Sequence, residues 1–286
     1  MLHHEIVRAE SGAPTRSFLF LHGILGSGTN LRSIARAFCR ADASWQAVLV
    51  DLRGHGKSAM PPPPHTLAAC ADDVAALARG LSLPVAGVLG HSFGGKVAMS
   101  LAHRGDSLAQ ALAHVVSVDS MPGARPGGRG SENVAVVLEA LAALPRRFAK
   151  REEMIEALVT RGQTRAIASW LAMSLRRVPD GFEMPFELEA IGALLDDYFT
   201  TDLWPLFDDA SPRDGSARLH LVIGDRSPVF DAADRAHAER LARDGRASLD
   251  VLPAGHWVHV DDPDGLTRAL LARTSGAPAL ADEVRS

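Results

Sequence analysis

Short, mainly apolar runs alternate with amphipathic stretches along most of the chain. Each run is followed by turn residues and then by a pattern with helical spacing. The five clearest runs are 18–21, 47–50, 85–89, 114–118 and 219–223. Runs this short and this apolar are typical of strands buried on both faces, as parallel sheets require. The alternation therefore predicts an α/β fold with a mostly parallel central sheet flanked by helices.

The alternation stops between about Met121 and Asp214. A linker rich in proline and glycine, 122–130, opens this region. Three helical patterns without a convincing strand follow it, at 131–144, 151–161 and 164–177. Because an all-helical insertion usually covers a site, we predict a helical cap at 123–212 within a core domain formed by 1–122 and 213–286. The region also holds eight of the fifteen aromatic residues, so we expect a few of them to line an apolar pocket.

The segment Gly90-His91-Ser92-Phe93-Gly94 has the form G-x-S-x-G and stands between the run 85–89 and a helical stretch. A sharp turn from strand to helix holds the serine in a strained backbone conformation and lifts its hydroxyl clear of the sheet. Side chains two positions before and after the serine would collide, which explains the glycines at Gly90 and Gly94. Ser92 is therefore the candidate nucleophile.

Acyl transfer also needs backbone N–H groups that point at the developing oxyanion. The segment His22-Gly23-Ile24 follows the run 18–21, and a loop in this place can supply one donor. The residue after the nucleophile supplies the other. We assign these two roles to the backbone N–H groups of Ile24 and Phe93.

The general base is expected near the C-terminus, because nucleophile-elbow hydrolases carry serine, acid and histidine in that order. Of the twelve histidines, His256 alone occupies a loop after a strand-like run, 249–252, in that order. We expect His259 to be structural. Neither an HExxH spacing nor a thiolate cluster accompanies this pair, so no metal site is predicted.

Composition narrows the class of protein. With 47% hydrophobic and 22% charged residues, the 286-residue chain is expected to be globular, not disordered. A net charge of −4 gives no basic surface for nucleic acid. The chain has no basic n-region at its start and no run of about eighteen apolar residues, so we expect neither a signal peptide nor contact with a membrane. A cytoplasmic protein is the resulting expectation.

These motifs resemble the α/β-hydrolase superfamily over the whole chain, from 18–23 through 51–58 to the Ser92 elbow and the His256 loop. More narrowly, three stretches are similar to those of the compact YbfF-type serine carboxylesterases. They are 90–96, 186–191 and 255–259. The resemblance implies an α/β-hydrolase fold with a small helical cap, and a serine esterase that acts on short acyl esters or thioesters without a metal or cofactor.

The acid that orients the histidine has two candidates. In most of the superfamily it lies three residues past the glycine that corresponds to Gly224, where this sequence has Ser227. Asp225 comes two residues before that position. Asp119 closes the run 114–118, and the YbfF-type resemblance favours it. Since the acid must hydrogen-bond the imidazole, we prefer Asp119 and keep Asp225 as the alternative.

The sequence therefore predicts a serine carboxylesterase that hydrolyses small or short-chain acyl esters through an acyl-enzyme intermediate. Its expected partner is a small-molecule ester, and no oligomeric state is predicted. The same triad would also serve a thioesterase, an amidase or a carbon–carbon bond hydrolase. The alternative from a different class is a ligand-binding receptor that retains the hydrolase fold.

Overall fold

The computed structural model describes residues 1–126, 134–209 and 218–274. Within these ranges the chain forms ten strands: β1 (His4–Val7), β2 (Arg16–Leu21), β3 (Trp45–Val50), β4 (Val85–His91), β5 (His114–Val118), β6 (Arg147–Phe148), β7 (Arg176–Val178), β8 (Gly181–Glu183), β9 (Leu219–Gly224) and β10 (Ser248–Leu252). The same ranges form a 3-10 helix (Gly28–Leu31) and twelve α-helices: α1 (Arg32–Ala41), α2 (Leu67–Arg79), α3 (Phe93–His103), α4 (Ser107–Ala111), α5 (Val134–Ala142), α6 (Arg151–Thr160), α7 (Arg165–Met173), α8 (Leu188–Thr200), α9 (Trp204–Asp208), α10 (Ala232–Arg243), α11 (Val258–Asp261) and α12 (Pro263–Thr274).

Seven strands form the central sheet, in the order β1-β3-β2-β4-β5-β9-β10. All neighbouring pairs are parallel except β1 and β3. The five predicted runs coincide with β2, β3, β4, β5 and β9, so the prediction of a mostly parallel sheet flanked by helices is confirmed. This arrangement is the α/β-hydrolase fold that the resemblance implied.

Strand β2 shows why the central strands are mainly apolar. Phe18 and Phe20 pack on one face of the sheet with Phe38 of α1. Leu19 and Leu21 face the opposite side, where α2 and α3 pack. Successive side chains of a strand point to opposite faces, so a strand with helices on both sides buries both sets of side chains and is apolar at most positions.

The insert between β5 and β9 is not all-helical, and that prediction is wrong. Strands β6, β8 and β7 form a small antiparallel sheet beside helices α5 to α9. The predicted helix 164–177 ends at Met173, and its last residues belong to β7. The cause is the turn Pro179-Asp180 between paired Val178 and Gly181, since proline and aspartate followed by glycine favour a hairpin.

Parts of the predicted domain organisation lie outside the described residues. They are linker residues 127–130, the start of the predicted helix at 131–133 and the cap boundary at 212. The division into a core and a cap therefore stays a prediction. Among the described helices, none has the length and apolar composition needed to span a membrane.

Candidate active site

Ser92 lies at the sharp turn between β4 and α3. Its backbone has φ 52° and ψ −120°, a left-handed conformation that is strained for a residue with a side chain. A Cβ at Gly90 would overlap the carbonyl of Gly94, and a Cβ at Gly94 would overlap the carbonyls of Leu21 and His22. Both glycines are therefore required by close backbone contacts, as the G-x-S-x-G pattern predicts.

A continuous hydrogen-bonded chain joins Ser92, His256 and Asp119. Ser92 Oγ lies 3.1 Å from His256 Nε2, and His256 Nδ1 lies 2.7 Å from Asp119 Oδ2. The three residues follow β4, β10 and β5, whose carboxyl ends meet at one edge of the sheet. Ligands of open α/β sheets bind at this edge. The geometry fits a serine nucleophile, a general base and an orienting carboxylate.

Asp119 is fully buried and accepts hydrogen bonds from three groups. Besides His256, Ser227 Oγ donates to Oδ2 at 2.5 Å, and the backbone N–H of Gly224 donates to Oδ1 at 3.1 Å. These donors compensate the carboxylate for its lost hydration. Asp225 instead points outward, with 47% of its side chain exposed and Oδ1 lying 3.4 Å from Arg226 Nη1. The structure thus brings Asp119, not Asp225, to His256.

Strained backbone is concentrated at this site. Three non-glycine residues of the described chain have positive φ: Leu25 at 60°, Ser92 at 52° and Asp119 at 46°. Leu25 lines the cavity beside Ser92. Such conformations are maintained only where the surrounding structure enforces them, and they cluster at functional sites.

The two predicted oxyanion donors belong to segments that flank Ser92. Phe93 is the first residue of α3, so its N–H has no acceptor within the helix. Ile24 lies in the loop after β2 and lines the same cavity. Buried His22 holds this loop, because its Nε2 accepts from the Leu52 N–H at 3.0 Å while Nδ1 donates to Gly23 O at 2.7 Å. Sequence reasoning gave His22 no role.

His91 supports the loop that carries His256. Its Nε2 lies 2.8 Å from the carbonyl oxygen of His256, so the proton must reside on Nε2. Burial, together with neighbouring His259 and His256, holds the pKa of His91 well below its usual range, so the ring stays neutral. His259 packs edge-on against His91, 4.6 Å between centroids, and also lines the cavity. Its predicted structural role therefore includes a place in the cavity wall.

A cavity of about 80 Å³ opens beside Ser92 and His256. Its walls are mainly apolar and come from the loop after β2 and from helices α5 and α7 of the insert. The apolar lining includes Ile24, Leu25, Val134, Val137, Ile167 and Trp170. Trp170 meets Trp257 edge-on, with ring centroids 4.7 Å apart. Of the insert's aromatic residues in the described ranges, Trp170 alone lines this cavity.

Comparison with known proteins agrees with the fold. Residues 18–269 match the sequence profile of the alpha/beta hydrolase family. The chain therefore belongs to this family. Its lipase and esterase relatives indicate that it is a hydrolase. The narrower likeness to YbfF-type carboxylesterases stays a prediction.

Individual relatives span nearly the whole chain. The sn-1-specific diacylglycerol lipase ABHD11 of Xenopus tropicalis is 30% identical over 261 residues, 88% of this chain and 76% of that protein. The 2-(acetamidomethylene)succinate hydrolase of Mesorhizobium japonicum is 26% identical and covers 92% of this chain and 89% of its own. The solved structure of a marine microorganism esterase superposes with a TM-score of 0.76 at 23% identity, covering 95% and 98% of the two chains. The relatives support hydrolysis of esters or related substrates.

Proposed function

We propose that the protein is a serine esterase that hydrolyses small or short-chain acyl esters through an acyl-enzyme intermediate. The observation that carries this proposal is the hydrogen-bonded chain from Ser92 through His256 to fully buried Asp119. A serine hydroxyl is a weak nucleophile, and it becomes an effective one when an oriented imidazole accepts its proton. An idle serine would not need the strained backbone of Ser92.

In the proposed reaction, Ser92 Oγ attacks the acyl carbonyl carbon while its proton moves to His256 Nε2. Asp119 holds the Nδ1–H of His256 and stabilises the imidazolium that forms. The N–H groups of Ile24 and Phe93 stabilise the oxyanion. His256 then gives its proton to the leaving alcohol. Water, deprotonated by His256, attacks the acyl-enzyme and releases the carboxylic acid and free Ser92.

The cavity supports a small acyl group. The cavity volume of about 80 Å³ is only several times the roughly 10–15 Å³ that a cavity needs to hold a single water molecule. Apolar walls favour the hydrocarbon part of an acyl chain over a charged substituent. The edge-on pair of Trp170 and Trp257 limits the cavity beside His256.

A second candidate is a lipase that accepts longer acyl chains. It is favoured by the 30% identity to a diacylglycerol lipase over most of the chain. Helices α5 and α7, which form part of the cavity wall, would then have to separate to admit the chain. An amidase on the same triad is a further candidate, because a 26% identical relative is a hydrolase of an acetamido compound.

The test uses the purified protein with a fluorophosphonate probe and p-nitrophenyl esters from acetate to decanoate. We expect the probe to label wild-type protein and not Ser92→Ala, and we expect a burst of p-nitrophenol. Highest kcat/KM for acetate or butyrate supports the short-chain esterase, and highest kcat/KM for octanoate or decanoate supports the lipase. Folded wild-type protein that neither labels nor turns over any ester would overturn both and favour the ligand-binding receptor.

A further inference from the structure

Lys96 is a buried cation one helical turn after Ser92. Only 1% of the residue is exposed. Its Nζ donates hydrogen bonds to three carbonyl oxygens, those of Gly123 at 2.8 Å, Tyr198 at 2.6 Å and Thr201 at 2.9 Å. An ammonium has three N–H donors, so each has an acceptor. The reaction proposed above gives Lys96 no part, although it belongs to the Gly90–Lys96 stretch.

The three acceptors belong to two segments of the chain between β5 and β9, one near its start and one near its end. Gly123 lies where the chain enters the insert, while Tyr198 lies in the last turn of α8 and Thr201 directly follows that helix. The final carbonyls of a helix lack intrahelical partners and carry the negative end of its dipole, so a cation is well placed there. Nζ also lies 4.6 Å from the centre of the Tyr198 ring.

Further hydrogen bonds hold the two segments side by side. The backbone N–H of Arg125 donates to Phe199 O at 2.6 Å, and that of Leu203 donates to Pro122 O at 3.0 Å. These bonds join the segments to each other. Lys96 is different, because its side chain connects both segments to α3, the helix that begins directly after Ser92.

Helix α8 links this contact to the cavity. It packs against α5, and Val134 and Val137 of α5 line the cavity beside Ser92. Helix α8 is also held by the core through Asp197, whose Oδ2 accepts from the Leu67 N–H at 2.7 Å. A shift at the end of α8 would therefore move a wall of the cavity relative to the nucleophile.

The charge of Lys96 is retained at a cost. Burial lowers the pKa of Lys96 to about 8, while Asp202 and Asp197 act in the opposite direction and Arg125 lowers the pKa further. An apolar side chain would occupy the same interior without this desolvation. It could not hold three carbonyl groups at fixed positions.

We propose that Lys96 is a positioning residue that fixes the insert over the cavity relative to Ser92. The kinetic part of this proposal rests on the proposed esterase function, whereas the structural part does not. Loss of the ammonium should release the end of α8 and let the cavity wall move. Substrate binding should then weaken more than the chemistry at Ser92.

The test compares wild type, Lys96→Met and a matched control, Lys150→Met, in which an exposed lysine of the insert is changed in the same way. Kinetics are measured per active site titrated with fluorophosphonate, so unfolded protein is not counted. For Lys96→Met we expect KM to rise about tenfold while kcat changes less than about threefold. We also expect hydrogen exchange in 188–203 to accelerate at least about tenfold, with α3 unchanged. Lys150→Met should behave as wild type.

Lys96→Gln provides a second variant that keeps two N–H donors without the charge, and we expect intermediate effects on KM and exchange. Unchanged KM and exchange in a folded Lys96 variant would overturn the proposal. Failure of both variants to fold would also overturn it, because Lys96 would then support the whole fold. If wild type hydrolyses no ester, the proposed function fails, and hydrogen exchange alone decides the role of Lys96.

Discussion

Ser227 donates a 2.5 Å hydrogen bond to Oδ2 of Asp119, the same oxygen that faces His256 Nδ1. Ser227 occupies the place where most of the superfamily carries the acid. Here the carboxylate comes from the end of β5 instead, and a hydroxyl at the usual place holds it. The two positions thus cooperate: one supplies the charge and the other fixes its orientation.

Replacing this hydroxyl should therefore reduce the proposed catalysis without abolishing it. In Ser227→Ala, Asp119 keeps its contacts with His256 and Gly224. One hydrogen bond to a charged group contributes about 1.5–3 kcal/mol, so we expect kcat to fall at least about tenfold. Steady-state kinetics on a p-nitrophenyl ester measure this. Ser117→Ala, which removes another buried hydroxyl of the same region, is the control. An equal loss in both would assign the effect to packing.

The choice between the two carboxylates can be tested directly. Asp119→Asn would place an amide against His256 and disturb its tautomer, so we expect kcat to fall about 10³–10⁴-fold. Asp225→Asn changes an exposed side chain that pairs with Arg226, and kcat should stay within about twofold. Circular dichroism checks that both variants fold. If Asp225→Asn gave the larger loss, our assignment of the acid would have to be reversed.

The sequence predicted the site unevenly, for a physical reason. Ser92 could be predicted because the strand-to-helix turn constrains the residues two positions before and after it, Gly90 and Gly94. His256 could be predicted from its order along the chain. The contact between Asp119 and His256 joins residues 137 positions apart, and no local pattern encodes it. The resemblance to YbfF-type esterases favours Asp119. For Ser227, the sequence shows only that the acid's usual position holds a serine, and not that this serine contacts Asp119.

A methyl group at Gly94 tests how closely the elbow approaches the oxyanion loop. In Gly94→Ala the new Cβ would overlap the carbonyls of Leu21 and His22, which are backbone atoms and cannot rotate away. We expect a loss of stability of about 1–3 kcal/mol from overpacking. With the Ile24 loop displaced, kcat per titrated site should also fall about 100-fold. Urea denaturation and ester kinetics measure the two effects.

Gly192→Ala is the control for this prediction. Gly192 lies inside α8, and a Cβ there would meet nothing within 4 Å. The variant should gain about 0.5–1 kcal/mol of stability, since alanine favours the helix. Wild-type stability and activity in Gly94→Ala would show that the elbow has more room than the structure indicates.

The fold was predictable where burial is uniform. Strands β2 to β5 and β9 are covered on both faces, so their apolar runs stand out from the sequence. The edge strand β1 is partly exposed and has only Ile6 and Val7 as apolar residues, which is too weak a pattern. The β7–β8 hairpin was missed because its strands have three residues each and are not buried. Its Pro179-Asp180-Gly181 turn was the available signal.

Trp170 should limit the length of the acyl group. It lines the cavity and contacts Trp257, so Trp170→Ala would extend the apolar space away from Ser92. We expect the ratio of kcat/KM for octanoate to that for acetate to rise at least about tenfold, because a few added methylenes gain contact with protein. Phe182→Ala, in strand β8 and outside the cavity, should leave the ratio unchanged. An unchanged ratio in Trp170→Ala would mean that the bound acyl chain extends from Ser92 in a direction that does not pass Trp170.

Two buried histidines on neighbouring strands should make the protein less stable in acid. His114 of β5 and His220 of β9 stack with ring centroids 5.6 Å apart. Burial, aided by Arg16, lowers the pKa of His114 to about 4, and burial, aided by His114 and Arg273, lowers the pKa of His220 to about 3. In the unfolded chain both titrate near 6.5. Between these values the unfolded state binds more protons, so stability is lost as the pH falls from about 6.5 towards 4.

The variant His114→Phe keeps a ring in this position but removes one titrating group. Each histidine that is neutral when folded and protonated when unfolded contributes up to about 1.4 kcal/mol per pH unit. Between pH 7 and pH 5, His114→Phe should therefore lose about 1–2 kcal/mol less unfolding free energy than wild type, measured by urea denaturation. His103→Phe, at an exposed position, is the control and should not reduce the loss. An equal loss in wild type and His114→Phe would mean that His114 is protonated in the folded protein as well, and that its burial does not keep it neutral.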